Sequence, residues 1–416
     1  MAVIKPFKAL RPEKTLASKV ASRPYDVLNS EEARAEAGDN PYSFYHISKS
    51  EIDLPPDTDI HGSVVYEQAK ENLSSFIRQG TLFFEEKPCY YIYRLKMGDH
   101  VQTGLVCVSS VEDYEDGIIK KHEFTRPEKE QDRINHIRVT GAQTGNVFLA
   151  YHAQPDVDIL IENWQKTQVP AYDFTAEDGI THTIWVIADD ETNRQITTLF
   201  ADKIPCTYIA DGHHRAASAA KVAQIVAEGK DPSQDDPSYF FLTTLFPDNQ
   251  LSILDYNRLV KDLNGLSKEE FLSKLDYDFT VTLTGQTAVK PAAAHEIGMY
   301  LDGGWYRLVA RTGTYTTDPV GILDITILQN NVLDKLLGIK DPRTDNRIDF
   351  VGGIRGMGEL ARRVDSGEMQ VAFAIYPVTV AQLFAIADMG LIMPPKSTWF
   401  EPKLRDGLLT HIIREA

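Results

Sequence analysis

Apolar positions along this chain follow two periods, and the changes from one to the other mark out its elements. From Val65 to Gly80 they recur every three or four residues, as on one face of an amphipathic helix. Tyr90–Leu95 and Val101–Ser109 instead carry strand-type residues, and Gly98 with Asp99 between them predicts a hairpin. Residues 118–140 are charged and mostly helical in period. Val147–Tyr151 reads as a strand, and another pair flanks Asp178 and Gly179, with His182–Ile187 as the returning partner. Ala216–Glu228 predicts an alanine-rich helix ending at Gly229. The polar run Lys230–Ser238 then leads into Phe240–Phe246, a strand whose aromatic and β-branched content predicts burial.

The first sixty residues are punctuated by turn signals at Arg23-Pro24-Tyr25-Asp26, Asn40-Pro41-Tyr42 and Leu54-Pro55-Pro56. Between them Ser30–Ala37 predicts a short helix with Ser30 as its cap. Beyond about residue 250 helical stretches alternate with strands at Phe279–Leu283, Trp305–Val309 and Gln370–Ile375, and Ile325–Leu337 has the period of an amphipathic helix. No repeat of fixed period is present. The pattern predicts an α+β fold with mixed sheets and helices, and its best boundary lies near 248.

Composition narrows the class. A chain of 416 residues predicts two or three domains, and 43% hydrophobic with 25% charged residues is the make-up of a folded protein. The net charge of -17 argues against long contacts with nucleic acid or an anionic membrane, so a phosphate ligand needs a local cluster of cations and N–H groups. No run is long and apolar enough to span a bilayer, and the start lacks the pattern of a secretory signal. Cys89, Cys107 and Cys206 are few and far apart, which predicts reduced thiols. The expected location is the cytoplasm.

The densest chemistry lies in Asp211-Gly212-His213-His214-Arg215, between the apolar approach Cys206–Ala210 and the Ala216 helix. Glycine at a strand-to-helix turn permits a positive φ and close ligand approach, and the first helical turn offers N–H groups to a phosphate. Arg215 adds a bidentate donor, the histidines donate to an anion or carry a proton, and Asp211 orients a histidine, holds Mg²⁺ or caps the helix. A capped structural turn and a metal site on His213 and His214 are the alternatives.

A second cluster runs from Lys120 to Arg133. Lys121, His122, Glu123, Thr125, Arg126 and Lys129 together suit a polyphosphate, with Glu123 left as a base; the plainer reading is a solvated helix laced by i,i+4 pairs. His122-Glu123 lacks the second histidine of a zinc protease helix. A third cluster, Met393–Lys403, stiffened by Pro394 and Pro395, carries the anion-binding types Lys396, Ser397, Thr398 and Lys403, though a surface turn around Trp399 and Phe400 accounts for it nearly as well. Gly352-Gly353 is a turn signal without a phosphate-loop lysine.

Taken jointly, these motifs resemble the DUF1015 family of bacterial proteins. The resemblance rests on Ile4-Lys5-Pro6-Phe7, Arg23-Pro24-Tyr25-Asp26-Val27, Asn40-Pro41-Tyr42, His122-Glu123 with Lys129-Glu130 and Asp132-Arg133, and Asp211–Arg215. It continues through Asp345 with Arg347-Ile348 to Met393–Thr398 with Phe400, Pro402 and Lys403. The Asp-Gly-His-His-Arg turn also resembles that of the ParB/sulfiredoxin-like superfamily, which includes free-serine kinases. Gly212 stands where sulfiredoxins carry cysteine, which disfavours sulfinic-acid reduction. No helix-turn-helix of the partition proteins is evident.

This resemblance implies an N-terminal region at 1–109, a ParB/sulfiredoxin-like phosphate- or nucleotide-binding domain at 110–248 and a C-terminal α+β domain at 249–416. It implies phosphoryl transfer from ATP or ADP, with CTP as a further option, to a small hydroxyl metabolite such as serine. Glu123, His122 and His213 would be catalytic, and Asp211 would hold Mg²⁺. Gly212, His213, His214, Arg215, Lys121, Lys129, Arg133, Lys396, Ser397 and Thr398 would hold the nucleotide. A phosphomonoester hydrolase, acting for instance on phosphoserine, and a non-enzymatic nucleotide sensor are the alternatives. No nucleic-acid or membrane partner is expected, and a homodimer is left open.

Overall fold

The computed structural model describes residues 1–228 and 236–414. They fall into two compact units: residues 1–121, 125–251 and 402–416 form the first, and residues 122–124 with 252–401 the second.

The first unit is built on nine strands: β1 (Ile4–Lys5), β2 (Tyr90–Met97), β3 (His100–Ser110), β4 (Ile119–Lys120), β5 (Val147–Tyr151), β6 (Tyr172–Thr175), β7 (Thr181–Ile187), β8 (Thr207–Asp211) and β9 (Phe240–Pro247). Their order is β4-β8-β5-β9-β3-β2-β7-β6, with β1 added on β3. The sheet is mixed, since β4–β8 and β5–β9 run parallel and the other pairs antiparallel. All eight residues of β9 are buried, as its composition predicts for a central strand. β9 pairs with β3 from Phe240↔Ser110 to Leu245↔Leu105. The N-terminal hairpin and the central region thus share one hydrogen-bonded sheet.

Five long helices belong to this unit: α1 (Ser63–Arg78), α2 (Pro127–Thr140), α3 (Pro155–Thr167), α4 (Asp190–Lys203) and α5 (His213–Ala227). Ala216, Ala219, Ala220 and Ala223 of α5 join Leu105, Leu149, Ile209 and Phe241 in the core, so a face of small side chains lets the helix lie close against the sheet. Within 118–140 only α2 is helical. Pro127 supplies its first turn, and the residue before a proline is driven out of the α region, as Arg126 is at φ -100, ψ 126. The cap of the Ser30–Ala37 helix is Asn29 rather than Ser30, in a capping box with Glu32. The expected helix end at Gly229 and most of the Lys230–Ser238 segment lie outside the described residues.

The second unit holds six antiparallel strands: β10 (Tyr256–Val260), β11 (Phe279–Gly285), β12 (Glu296–Leu301), β13 (Gly304–Ala310), β14 (Ile348–Gly352) and β15 (Val371–Ile375). Their order is β11-β13-β12-β15-β10-β14. Helices α6 (Lys268–Leu275), α7 (Gly356–Asp365) and α8 (Val380–Asp388) belong to it, and Leu360 and Val364 of α7 pack with Leu259, Tyr300 and Ala372. The predicted helix Ile325–Leu337 is α-helical over Asp324–Leu328 and then widens to a π turn at Gln329–Asp334. Apolar period alone does not register one added residue in a turn. The chain is an α+β protein whose compact units divide at 251/252, with residues 402–416 in the first unit and residues 122–124 in the second.

Candidate functional site

Strand β8 ends at Asp211, and Gly212 turns the chain into α5 with φ 96 and ψ 31. A β-carbon there would lie 3.1 Å from Cζ and Nε of Arg215 and 3.4 Å from Cα of Val147. Backbone conformation and space both call for glycine. Gly212 has no side chain with which to cap α5, and the first turn of the helix has no acidic residue. The first N–H groups of a helix carry its partial positive charge, the end of the dipole that suits an anion.

Arg215, one turn into the helix, folds back over that glycine and is 7% exposed. Its Nη1 donates to the carbonyl of Asn146, and Nη2 lies 3.4 Å from Asp26 and 3.6 Å from Asp211. Burial alone would weaken its charge, yet Asp26 and Asp211 raise its pKa above the ordinary arginine value. Its Nε has no hydrogen-bond partner among the described residues. One guanidinium thus ties two remote segments to the turn, and Gly145 makes room for it: a β-carbon there would lie 3.0 Å from Arg215 Cδ.

Two more groups arrive from the C-terminal segment. Lys403 Nζ donates to Asp211 Oδ2 at 2.9 Å. Burial would raise the Asp211 carboxyl, but Lys403 and Arg215 outweigh it and hold the group below the usual carboxylate range. Asp406, 2% exposed, is instead pushed up to about 7 by burial, which Arg215 only partly opposes. Its Oδ2 has no partner among the described residues, while its backbone pairs with Ser22 at 3.1 and 2.9 Å. Successive residues of an extended chain face opposite ways, so the neighbouring Arg405 points to Asp178 and His182.

The remaining expected residues of this unit are tied to its framework. His214 Nε2 accepts the N–H of Arg126 at 2.9 Å, which fixes the entry into α2. His213 is buried, and Lys129 is exposed on α2. Lys121 Nζ sits 3.6 Å from the centre of the Tyr114 ring, and burial lowers its pKa. Arg133 stacks 4.0 Å from the centre of the Tyr25 ring and pairs with Asp132 at 2.6 Å, so it supports the turn that presents Asp26 to Arg215.

His122 and Glu123 belong to the second unit, where the His122 carbonyl accepts the N–H of Met393 at 2.9 Å. His122 is buried and Glu123 half-buried. In the same unit Lys396 adopts φ 60, Ser397 Oγ donates to the Pro394 carbonyl at 2.5 Å, and Thr398 is half-buried.

A family model described as a protein of unknown function, DUF1015, matches residues 4–326. The chain belongs to the DUF1015 family. Its fold is similar, at low scores, to several solved structures. A free serine kinase variant in complex with AMP is 12% identical with a TM-score of 0.37, the match covering 73% of this chain and 92% of that one. SbnI from Staphylococcus aureus, with a C-terminal truncation, is 12% identical with a TM-score of 0.39, over 72% of this chain and 85% of that one. A conserved hypothetical protein from Pyrococcus furiosus is 13% identical with a TM-score of 0.36, over 74% and 94%. A search of curated proteins found no match. No helix among the described residues of this DUF1015 chain is long and apolar enough to cross a membrane.

Sequence reasoning gave no role to Asn146 or Asp406, left Asp26 as part of a turn, and counted Lys403 only among the anion-binding types of the third cluster. Asp26 and Lys403 stand in the quoted motifs, which is a signal; Asn146 and Asp406 carry none, because only the folded chain brings them to Arg215.

Proposed function

We propose that the protein is a nucleotide-dependent phosphotransferase acting on a small hydroxyl metabolite, with serine as the candidate substrate. The observation that carries this reading is a helix start behind a left-handed glycine with no acidic residue in its first turn, flanked by Lys403 and by the buried Arg215 with an unmatched Nε. Such a helix start is suited to an anionic ligand, and phosphoryl transfer asks mainly for positioning and charge neutralisation. On this reading the amides after Gly212, with His213 and His214, take the phosphates, and Lys403 adds a cation. Arg215 acts chiefly by holding the turn in shape, since its terminal nitrogens serve Asn146, Asp26 and Asp211. Lys121, Lys129 and Arg133 are further residues proposed to hold the nucleotide.

ATP or ADP is the nucleotide proposed, and Mg²⁺ bound to it would neutralise phosphate charge. Asp211 Oδ2 already receives Lys403, so an ion there would rest on the other carboxylate oxygen and on ligand oxygens, as magnesium commonly does. Glu123 is the proposed proton acceptor for the substrate hydroxyl, with His122 and His213 beside it in role.

The test is calorimetric titration with ADP, ATP and CTP, with and without magnesium, followed by transfer assays on serine. Saturable binding lost in Gly212→Ala, with turnover lost and binding kept in Glu123→Gln, is the expected result. Absence of nucleotide binding would sink the reading. Nucleotide-independent release of phosphate from phosphoserine would replace it with a hydrolase, and binding without any product with a sensor.

A further inference from the structure

Arg258 is the most deeply buried cation of the second unit, 1% exposed in the middle of β10. Its donors meet only carbonyl oxygens. Nη1 donates to the Tyr256 carbonyl, and Nη2 to those of Pro395 at 3.1 Å and Lys396 at 2.8 Å. The rings of Tyr256 and Phe350 flank it, with their centres 5.8 and 5.3 Å away. No carboxylate among the described residues pairs with it, and burial lowers its pKa to about 9. A buried charge is ordinarily matched by an opposite one, so this unit holds a positive charge that awaits an anion.

The loop that Arg258 holds is shaped for one. Two consecutive carbonyls, of Pro395 and Lys396, turn onto the same Nη2. In a trans peptide the N–H points opposite to its C=O, so the amides of Lys396 and Ser397 face together toward the far side of the loop. Lys396 takes a positive φ of 60, the left-handed half of the alternation that makes successive N–H groups concave toward an anion. Ser397 Oγ closes the turn on the Pro394 carbonyl, and the Lys396 ammonium lies 5.5 Å from the centre of the Tyr256 ring.

We infer that residues 394–398 form a phosphoryl-binding nest within the second unit, and that buried Arg258 is its positioning residue and electrostatic support. This goes beyond the reading of the α5 turn, because it assigns anion binding to other residues. Arg258 fixes the direction of two peptide planes and supplies the unmatched positive charge behind them; the anion meets the N–H groups on the other side.

The experiment is titration of the full chain with inorganic phosphate and, separately, with ADP at constant ionic strength. The variants are Arg258→Met, Arg258→Lys, Lys396→Gly and, at the other site, Lys403→Met. Lys396→Gly keeps a residue suited to positive φ and removes only the side chain. Arg258→Met is expected to weaken binding by about tenfold or more, Arg258→Lys and Lys396→Gly by less, and Lys403→Met to leave this component intact. A loss confined to phosphate identifies a free phosphate or phosphoester as the ligand, and a loss with ADP identifies a nucleotide phosphate. Unchanged phosphate and ADP binding in Arg258→Lys and Lys396→Gly overturns the inference even if Arg258→Met does not fold. Loss of all binding in Lys403→Met with none in Lys396→Gly overturns it too, and leaves the α5 turn as the single anion site.

Discussion

Asp406→Asn tests the electrostatics of the first unit directly. The wild-type carboxyl is 2% exposed, its Oδ2 has no partner among the described residues, and burial pushes its pKa from 3.8 up to about 7. Between those values the unfolded chain has lost the Asp406 proton while the folded chain still holds it. The unfolded state then binds fewer protons, so stability falls as pH rises through this window. The shift is about three pH units at about 1.4 kcal/mol each, or about 4 kcal/mol when the folded group has finally ionised. Asparagine has the same shape and no charge to lose. The stability difference between Asp406→Asn and wild type should therefore grow in the variant's favour from about pH 4 to about pH 7, then level off. Urea denaturation followed by circular dichroism at half-unit pH steps measures it. A difference that stays constant within about 0.5 kcal/mol from pH 4 to pH 8 would refute the reasoning, because unrelated titrations cancel between the two chains.

Two further outcomes follow from the same turn. Gly212→Ala places a β-carbon at φ 96 and 3.1 Å from the Arg215 guanidinium, so thermal denaturation should show a loss of about 1–3 kcal/mol; an unaltered melting curve would remove the case for strain there. Lys403→Met takes from Asp211 the ammonium that holds its carboxyl low, and should cost about 1–3 kcal/mol at neutral pH. The stability that Asp211 gives is present above its unfolded pKa and lost as pH falls through the lower folded one. The cost should therefore shrink when denaturation is repeated near pH 3, and a cost independent of pH would point to lost packing instead.

Much of the local structure was legible because it depends on neighbours in sequence. The hairpin around Gly98 and Asp99, the buried strand β9 and the strand–glycine–helix turn at Gly212 follow from side-chain period, β-branching and the freedom of glycine. The failures were also local in origin. Pro127 delays α2, Asn29 rather than Ser30 caps its helix, and the π turn after Leu328 interrupts an apparently regular period.

The candidate site divides in the same way. By itself the sequence determined that Asp211–Arg215 is a polar turn opening a helix, and that the chain belongs with the DUF1015 proteins. The tertiary structure decided what the charges do. Arg215 meets Asp26 across 189 residues and the carbonyl of Asn146 across 69, and Lys403 meets Asp211 across 192. It also left Arg258 among carbonyls and rings, a setting that its place in an ordinary strand pattern does not announce. The physical reason is one of range. Backbone preference is set within a few residues, whereas the fate of a buried charge depends on which distant segments the fold brings to it.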